Sequence, residues 1–140
     1  MAKHILVVDD SKLAADTKVM AIEAFGGNRY TCEAVYGGQE CLDRLEKDPP
    51  VDLLVLDLEM PLNGIKVMHT IFNKDPRPKL KILIASACGE GWETEWNVTS
   101  IQDHPAFSEM VMEKPYGSGM ADPLIFMDLV REGLGETTGV

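Results

Sequence analysis

Val51-Asp52-Leu53-Leu54-Val55-Leu56-Asp57-Leu58-Glu59-Met60-Pro61 decides how the rest of the chain is read. A near-continuous apolar run lies between Pro49-Pro50 and Pro61 and stops at a carboxylate. A run so short and so bounded predicts a β-strand covered on both faces, as strands in parallel sheets are. Asp57 then falls at the carboxyl end of that strand. In open parallel α/β sheets this edge is where ligands bind. Alone, Asp57 reads as well as a residue that opens a turn, so the neighbouring segments have to decide.

Upstream, Ile5-Leu6-Val7-Val8 is a second buried-strand run and stops at Asp9-Asp10. Ser11 is a fair N-cap for a helix from near Lys12, and Gly26-Gly27 ends it. Leu13, Val19 or Met20, Ala24 and Phe25 are its expected apolar stripe. Tyr30 to Val35 is β-prone. Gly37-Gly38 leads into a helix from Gln39 to about Lys47, with Leu42 and Leu45 inward. Downstream, Gly64 lies in the loop after Pro61, and Ile65 to Asn73 reads as a helix stopped by Asp75-Pro76-Arg77-Pro78. Leu80 to Ala85 is a strand that ends at Ser86. A helix is expected from about Trp92 to Gln102, then a weaker strand from Glu109 to Glu113 running into Lys114-Pro115. Asp122-Pro123 opens a last helix to about Glu132. Five strands alternating with five helices predict an α/β domain, a parallel sheet wrapped on both sides by right-handed crossovers. The domain is expected to fill residues 1–132, with 133–140 a flexible tail.

The 140 residues suit a single core, and 45% apolar with 26% charged residues is ordinary for a globular protein. A net charge of −10 argues against direct nucleic-acid binding, which needs a basic footprint. No window holds the roughly 18 apolar residues of a membrane span, and the N-terminus shows no signal pattern. Cys32, Cys41 and Cys88 have no metal-type spacing, and their odd number argues against a disulfide framework, so a cytoplasmic location is expected.

Four of the five predicted strands end in polar residues that a core does not need: Asp9 and Asp10, Asp57, Ser86, and Lys114. A parallel sheet puts all of them on one edge. Three carboxylates gathered there repel one another, and a hard divalent cation such as Mg²⁺ relieves the repulsion. Lys114 offers a mobile cation to a phosphoryl oxygen, and Ser86 a hydroxyl donor.

The stretches Val7-Val8-Asp9-Asp10-Ser11, Leu56-Asp57-Leu58-Glu59-Met60-Pro61, Ile84-Ala85-Ser86-Ala87 and Lys114-Pro115 resemble the receiver domain of two-component response regulators, of the chemotaxis type. The resemblance implies a flavodoxin-like sheet of strand order 2-1-3-4-5. It implies Asp57 as phosphoacceptor, Asp10 as direct Mg²⁺ ligand, Asp9 helping through water, and the Glu59 backbone carbonyl as a further ligand. It also implies Ser86 as the hydroxyl that binds the new phosphoryl group, Lys114 as its ion-pairing lysine, and a cis bond before Pro115. The implied donor is a sensor histidine kinase or a phosphotransfer protein. Output would go to a downstream protein or a homodimer through the predicted fourth helix, fifth strand and fifth helix. Beyond self-phosphorylation and autodephosphorylation no enzymatic turnover is expected.

The chain departs from that pattern in places. Gly64 comes one residue early, which leaves the loop after Asp57 open. The span from Ser86 to Lys114 is long. It holds Trp92 and Trp96 on one helix face, as core or as a docking patch. Val111 stands where the family often has an aromatic. Glu59 and Cys88 occupy places that tune phosphoryl lifetime in the family. His4, His69 and His104 are scattered and are given no chemical role. Lys12 reads as a solvated helix residue. Three other functions fit these residues less well. A haloacid-dehalogenase-type phosphatase wants an Asp where Glu59 stands and its acidic pair late in the chain. A flavodoxin-like FMN carrier needs a phosphate loop where Asp9-Asp10-Ser11 would repel one. A docking-only pseudo-receiver has no need of the full set of site residues.

Overall fold

Strand β1, Lys3–Val8, pairs in parallel with β2, Tyr30–Val35, on one side and with β3, Leu53–Leu56, on the other. This computed structural model describes residues 2–58, 60, 64–74, 79–85, 111–112 and 122–136. Strand β4, Lys81–Ile84, follows β3 in parallel, and the two-residue β5, Val111–Met112, lies beyond β4. The sheet order is β2-β1-β3-β4-β5. Four strands carry this parallel, flavodoxin-like sheet over at least four residues each, and β5 adds one pair of residues. Helix α1 spans Lys12–Gly26, α2 Gly38–Leu45, α3 Gly64–Lys74 and α4 Pro123–Gly133. The helix expected from Trp92 to Gln102 lies outside the described residues.

Every residue of β3 is buried, as its uninterrupted apolar run predicts. Successive side chains leave on opposite faces, so the strands divide into two cores. Leu6, Val8, Leu54, Leu56, Ile82 and Ile84 pack beneath α2 and α3, against Cys41, Val67, Met68 and Phe72. Ile5, Val7, Leu53, Val55 and Leu83 pack beneath α1 and α4, against Ala15, Ile22, Phe126 and Val130. Burying a side chain such as Phe126 contributes about 1.5–3 kcal/mol. Burial pushes the Cys41 thiol up to about 12 and, with Glu23 and Glu33 nearby, the Cys32 thiol up to about 11.

Helix ends follow the sequence. Ser11 is extended, φ −79° and ψ 107°, and its Oγ accepts from the Ala14 N–H at 3.2 Å. Gly27 closes α1 at φ 59°, a conformation open to glycine at little cost. Asp122 caps α4 by accepting from Leu124 and Ile125, with Pro123 in the first turn. The apolar stripe of α1 needs correction. Leu13, Met20 and Phe25 are exposed, at 80%, 69% and 47%, and Ala24 is exposed too. The buried residues are Ala15, Ile22 and Gly26, with Val19 partly covered. Their spacing of four, three and four is a regular helical stripe. Small residues in that stripe let α1 lie close to the sheet, and the Tyr30 ring rests directly on Gly26.

Candidate functional site

The pairing of β1 with β3 puts Val8 opposite Leu56, so the residues that follow emerge side by side. The Asp57 N–H donates to the Val8 carbonyl at 3.0 Å, and the Asp9 N–H to that of Val35 at 3.3 Å. Asp9 and Asp57 are each only 7% exposed, while Asp10 faces solvent. One carboxylate oxygen from each of the three lies within 4.8 Å of the others. Two unit charges 4 Å apart repel by roughly 4 kcal/mol at an effective dielectric of about 20. A group of this kind needs positive charge from somewhere.

Part of it comes from a residue the sequence reading passed over. Lys18 Nζ lies 3.8 Å from Asp9 Oδ2, and the Lys18 side chain is 15% exposed. The other oxygen, Asp9 Oδ1, accepts the Ser11 N–H at 2.9 Å. Lys18 sits two turns after Ser11 on the same face of α1. Helical side chains lean toward the N-terminus, so its stem runs back toward the strand end. That seven-residue spacing was the available signal.

Gly64 opens α3 close against the residues that follow β3, while residues 59 and 61–63 of the loop lie outside the described residues. Its N–H donates to the Leu58 carbonyl at 3.2 Å. A Cβ there would meet the Asp57 carbonyl oxygen at 2.6 Å and Leu58 Cα at 3.0 Å. Helix α3 can start against the backbone of Asp57 because residue 64 has no side chain.

At the rim, Asp16 takes Lys12 Nζ at 2.6 Å and the Tyr36 hydroxyl at 2.8 Å. Lys12 also lies 5.2 Å from the Tyr36 ring centre. Lys12, with Tyr36 second, holds the Asp16 carboxyl below its ordinary value, and Asp16 holds the Lys12 ammonium above its own. Both groups are solvated, so the pair contributes little to stability. Lys12 is the surface residue expected of it.

The structure therefore brings Asp9, Asp10 and Asp57 together. Glu59, Ser86 and Lys114, and with them Cys88, Trp92, Trp96 and the Lys114-Pro115 bond, lie outside the described residues. The three carboxylates present hard oxygen donors at one spot, with Asp10 open to water. That donor set fits Mg²⁺, which binds through one or two carboxylates and keeps several waters. Among the described residues no helix is long and apolar enough to cross a membrane.

Comparison with known proteins gives the family. The model of the response regulator receiver domain matches residues 5–96. A protein-glutamate methylesterase/protein-glutamine glutaminase of Treponema denticola is 34% identical over 85 residues, 60% of this chain and 22% of that protein. The chain thus spans about a fifth of that relative's length. Among solved structures, a CheY-like receiver domain protein from Methanospirillum hungatei superposes with a TM-score of 0.70 at 20% identity, covering 96% of this chain and 95% of that one. A sensor protein from Polaromonas superposes with a TM-score of 0.74 at 16% identity, covering 95% and 96%. At such identities the structural likeness speaks for the fold alone. The family match, over the greater part of the chain and across all three clustered aspartates, carries the conclusion that this chain belongs to the response regulator receiver domain family.

Proposed function

We propose that Asp57 is the phosphoacceptor of a two-component signalling switch, charged by a sensor histidine kinase or a phosphotransfer protein. The observation that carries this reading is the acidic cluster: Asp57, buried at a strand end, with one oxygen within 4.8 Å of carboxylate oxygens of Asp9 and Asp10. A carboxylate so placed lies beside Asp10, which faces solvent. In the proposed step a carboxylate oxygen of Asp57 attacks the phosphorus of a phosphohistidine. The P–N bond breaks, and its electron pair stays on the imidazole nitrogen. Little covalent chemistry is asked of the protein, since phosphoryl transfer is mostly positioning and charge neutralisation.

Asp10, Asp57 and the Glu59 backbone carbonyl would hold Mg²⁺, with Asp9 acting through water. When bound, the ion supplies the charge that neutralises the transferring oxygens. Ser86 would donate to the new phosphoryl group and Lys114 would pair with it. Phosphorylation then redistributes conformations that already exist. Output is proposed to pass through β5, the segment before it and α4, to a downstream protein or a second copy. Receiver domains are in general not enzymes, and turnover here is limited to self-phosphorylation and autodephosphorylation. The acidic balance of the chain speaks against direct DNA contact by this domain.

Incubation with Mg²⁺ and acetyl phosphate tests the proposal. Intact-mass measurement is expected to show one added phosphoryl group on wild type and none on Asp57→Asn. Equal labelling of the two proteins would overturn the assignment.

A further inference from the structure

We infer that Lys18 is a resident counter-charge of the acidic cluster: it holds Asp9 in place, stabilises the domain when no divalent cation is bound, and weakens the hold of the site on that cation. The inference rests on the cation site proposed above and adds a positioning residue to it.

The geometry separates Lys18 from an ordinary surface lysine. Lys12, on the same helix, leaves 73% of its side chain in solvent, whereas Lys18 leaves 15% and stands 3.8 Å from an Asp9 side chain that is itself 11% exposed. The ammonium of a lysine side chain this covered needs a partner. Asp9 provides one, with its second oxygen already bonded to the Ser11 N–H. Both Asp9 oxygens are thus engaged by the protein, which fits a residue that serves the cation indirectly. Lys18 lowers the negative charge of the cluster by one. A dication entering the cluster meets this positive charge near its ligands and gains less than it would against carboxylates alone.

A purely structural ion pair would alter stability and leave cation affinity unchanged, so affinity is the discriminating measurement. Titration of MgCl₂ into wild type, Lys18→Met and Lys18→Arg by calorimetry, at fixed ionic strength, gives the three dissociation constants. Thermal midpoints in EDTA give the stability of the cation-free forms. Lys18→Met is expected to bind Mg²⁺ about tenfold more tightly than wild type, about 1.4 kcal/mol, and to melt lower in EDTA. Lys18→Arg should return both values close to wild type. Should Lys18→Met fail to fold, Lys18→Gln takes its place in the same titration. A Met or Gln variant that binds Mg²⁺ no more tightly than wild type, or an Arg variant that behaves like Met, overturns the inference and leaves the proposed function standing. Folded wild type that takes up no Mg²⁺ removes the cation site itself.

Discussion

At the amino edge of the sheet, Glu33 takes Arg44 Nε at 2.9 Å and His4 Nε2 at 2.7 Å; at the carboxyl edge, Asp9, Asp10 and Asp57 crowd together, with Lys18 beside Asp9. The first group is closed. His4 Nδ1 meets the Thr31 hydroxyl at 2.7 Å, and the His4 N–H donates to Asp52. Arg44 also donates to the carbonyls of Lys47 and Pro49, tying the end of α2 to the turn before β3. In the second group three carboxylates meet and one of them, Asp10, faces water. Opposite charges that saturate one another hold a fold. Like charges held together at the fold's expense wait for something from solution.

The largest effect expected from a single change lies under the acidic group. Gly64→Ala forces a methyl group onto the Asp57 carbonyl and should cost about 3 kcal/mol of unfolding free energy by urea titration. It should also weaken Mg²⁺ binding, because the backbone that carries Asp57 has to move. At Gly37, the N-cap of α2, a Cβ would meet only Glu40 at 3.8 Å among the described residues, so Gly37→Ala is the control that costs about 1 kcal/mol or less and leaves Mg²⁺ binding unchanged.

Next comes Arg44→Met, which should cost about 2 kcal/mol by leaving Glu33 and two carbonyls short of a donor. Here the Mg²⁺ dissociation constant is expected to stay at the wild-type value. A change in it would break the division between the two edges. The same variant tests pH dependence. Burial pushes the Glu33 carboxyl up, but the bonds from Arg44 and His4 outweigh it and hold the group below its ordinary value. A depressed carboxylate stabilises the fold above its unfolded value, about 4.3, and that stability is lost as pH falls through the folded value. Wild type should therefore lose stability in acid along a slope that Arg44→Met flattens. Glu33 is 37% exposed, so the slope is shallow. Smallest of all, Lys12→Ala should leave the thermal midpoint where it is, since its pair with Asp16 is solvated.

Strands β1, β3 and β4 and the acidic cluster were legible because a fully covered strand spells its burial as an unbroken apolar run. A polar residue that ends such a run stands out, as Asp9 and Asp57 do. Helix α1 was misphased because its large side chains drew the eye, while the face that touches the sheet is made of Ala15, Val19, Ile22 and Gly26. Lys18 and the His4–Glu33–Arg44 group were not foreseen. Each depends on which side chains meet across elements, and that follows from register and helix phase. With Lys3 opposite Tyr30, the pleat puts His4 beside Thr31 and within reach of Glu33. Gly64 was noticed for its position, but its reason, the carbonyl it must clear, exists only in three dimensions.

Ser11 belongs to two structures at once. Its hydroxyl accepts the amide that opens α1, and its own amide reaches the carboxylate of Asp9. The first role belongs to the side chain and the second to the backbone, so another capping residue at this position alters the helix start while the amide that holds Asp9 stays in place. The same amide proton is a natural spectroscopic reporter, because its resonance should follow any change of charge at its neighbour.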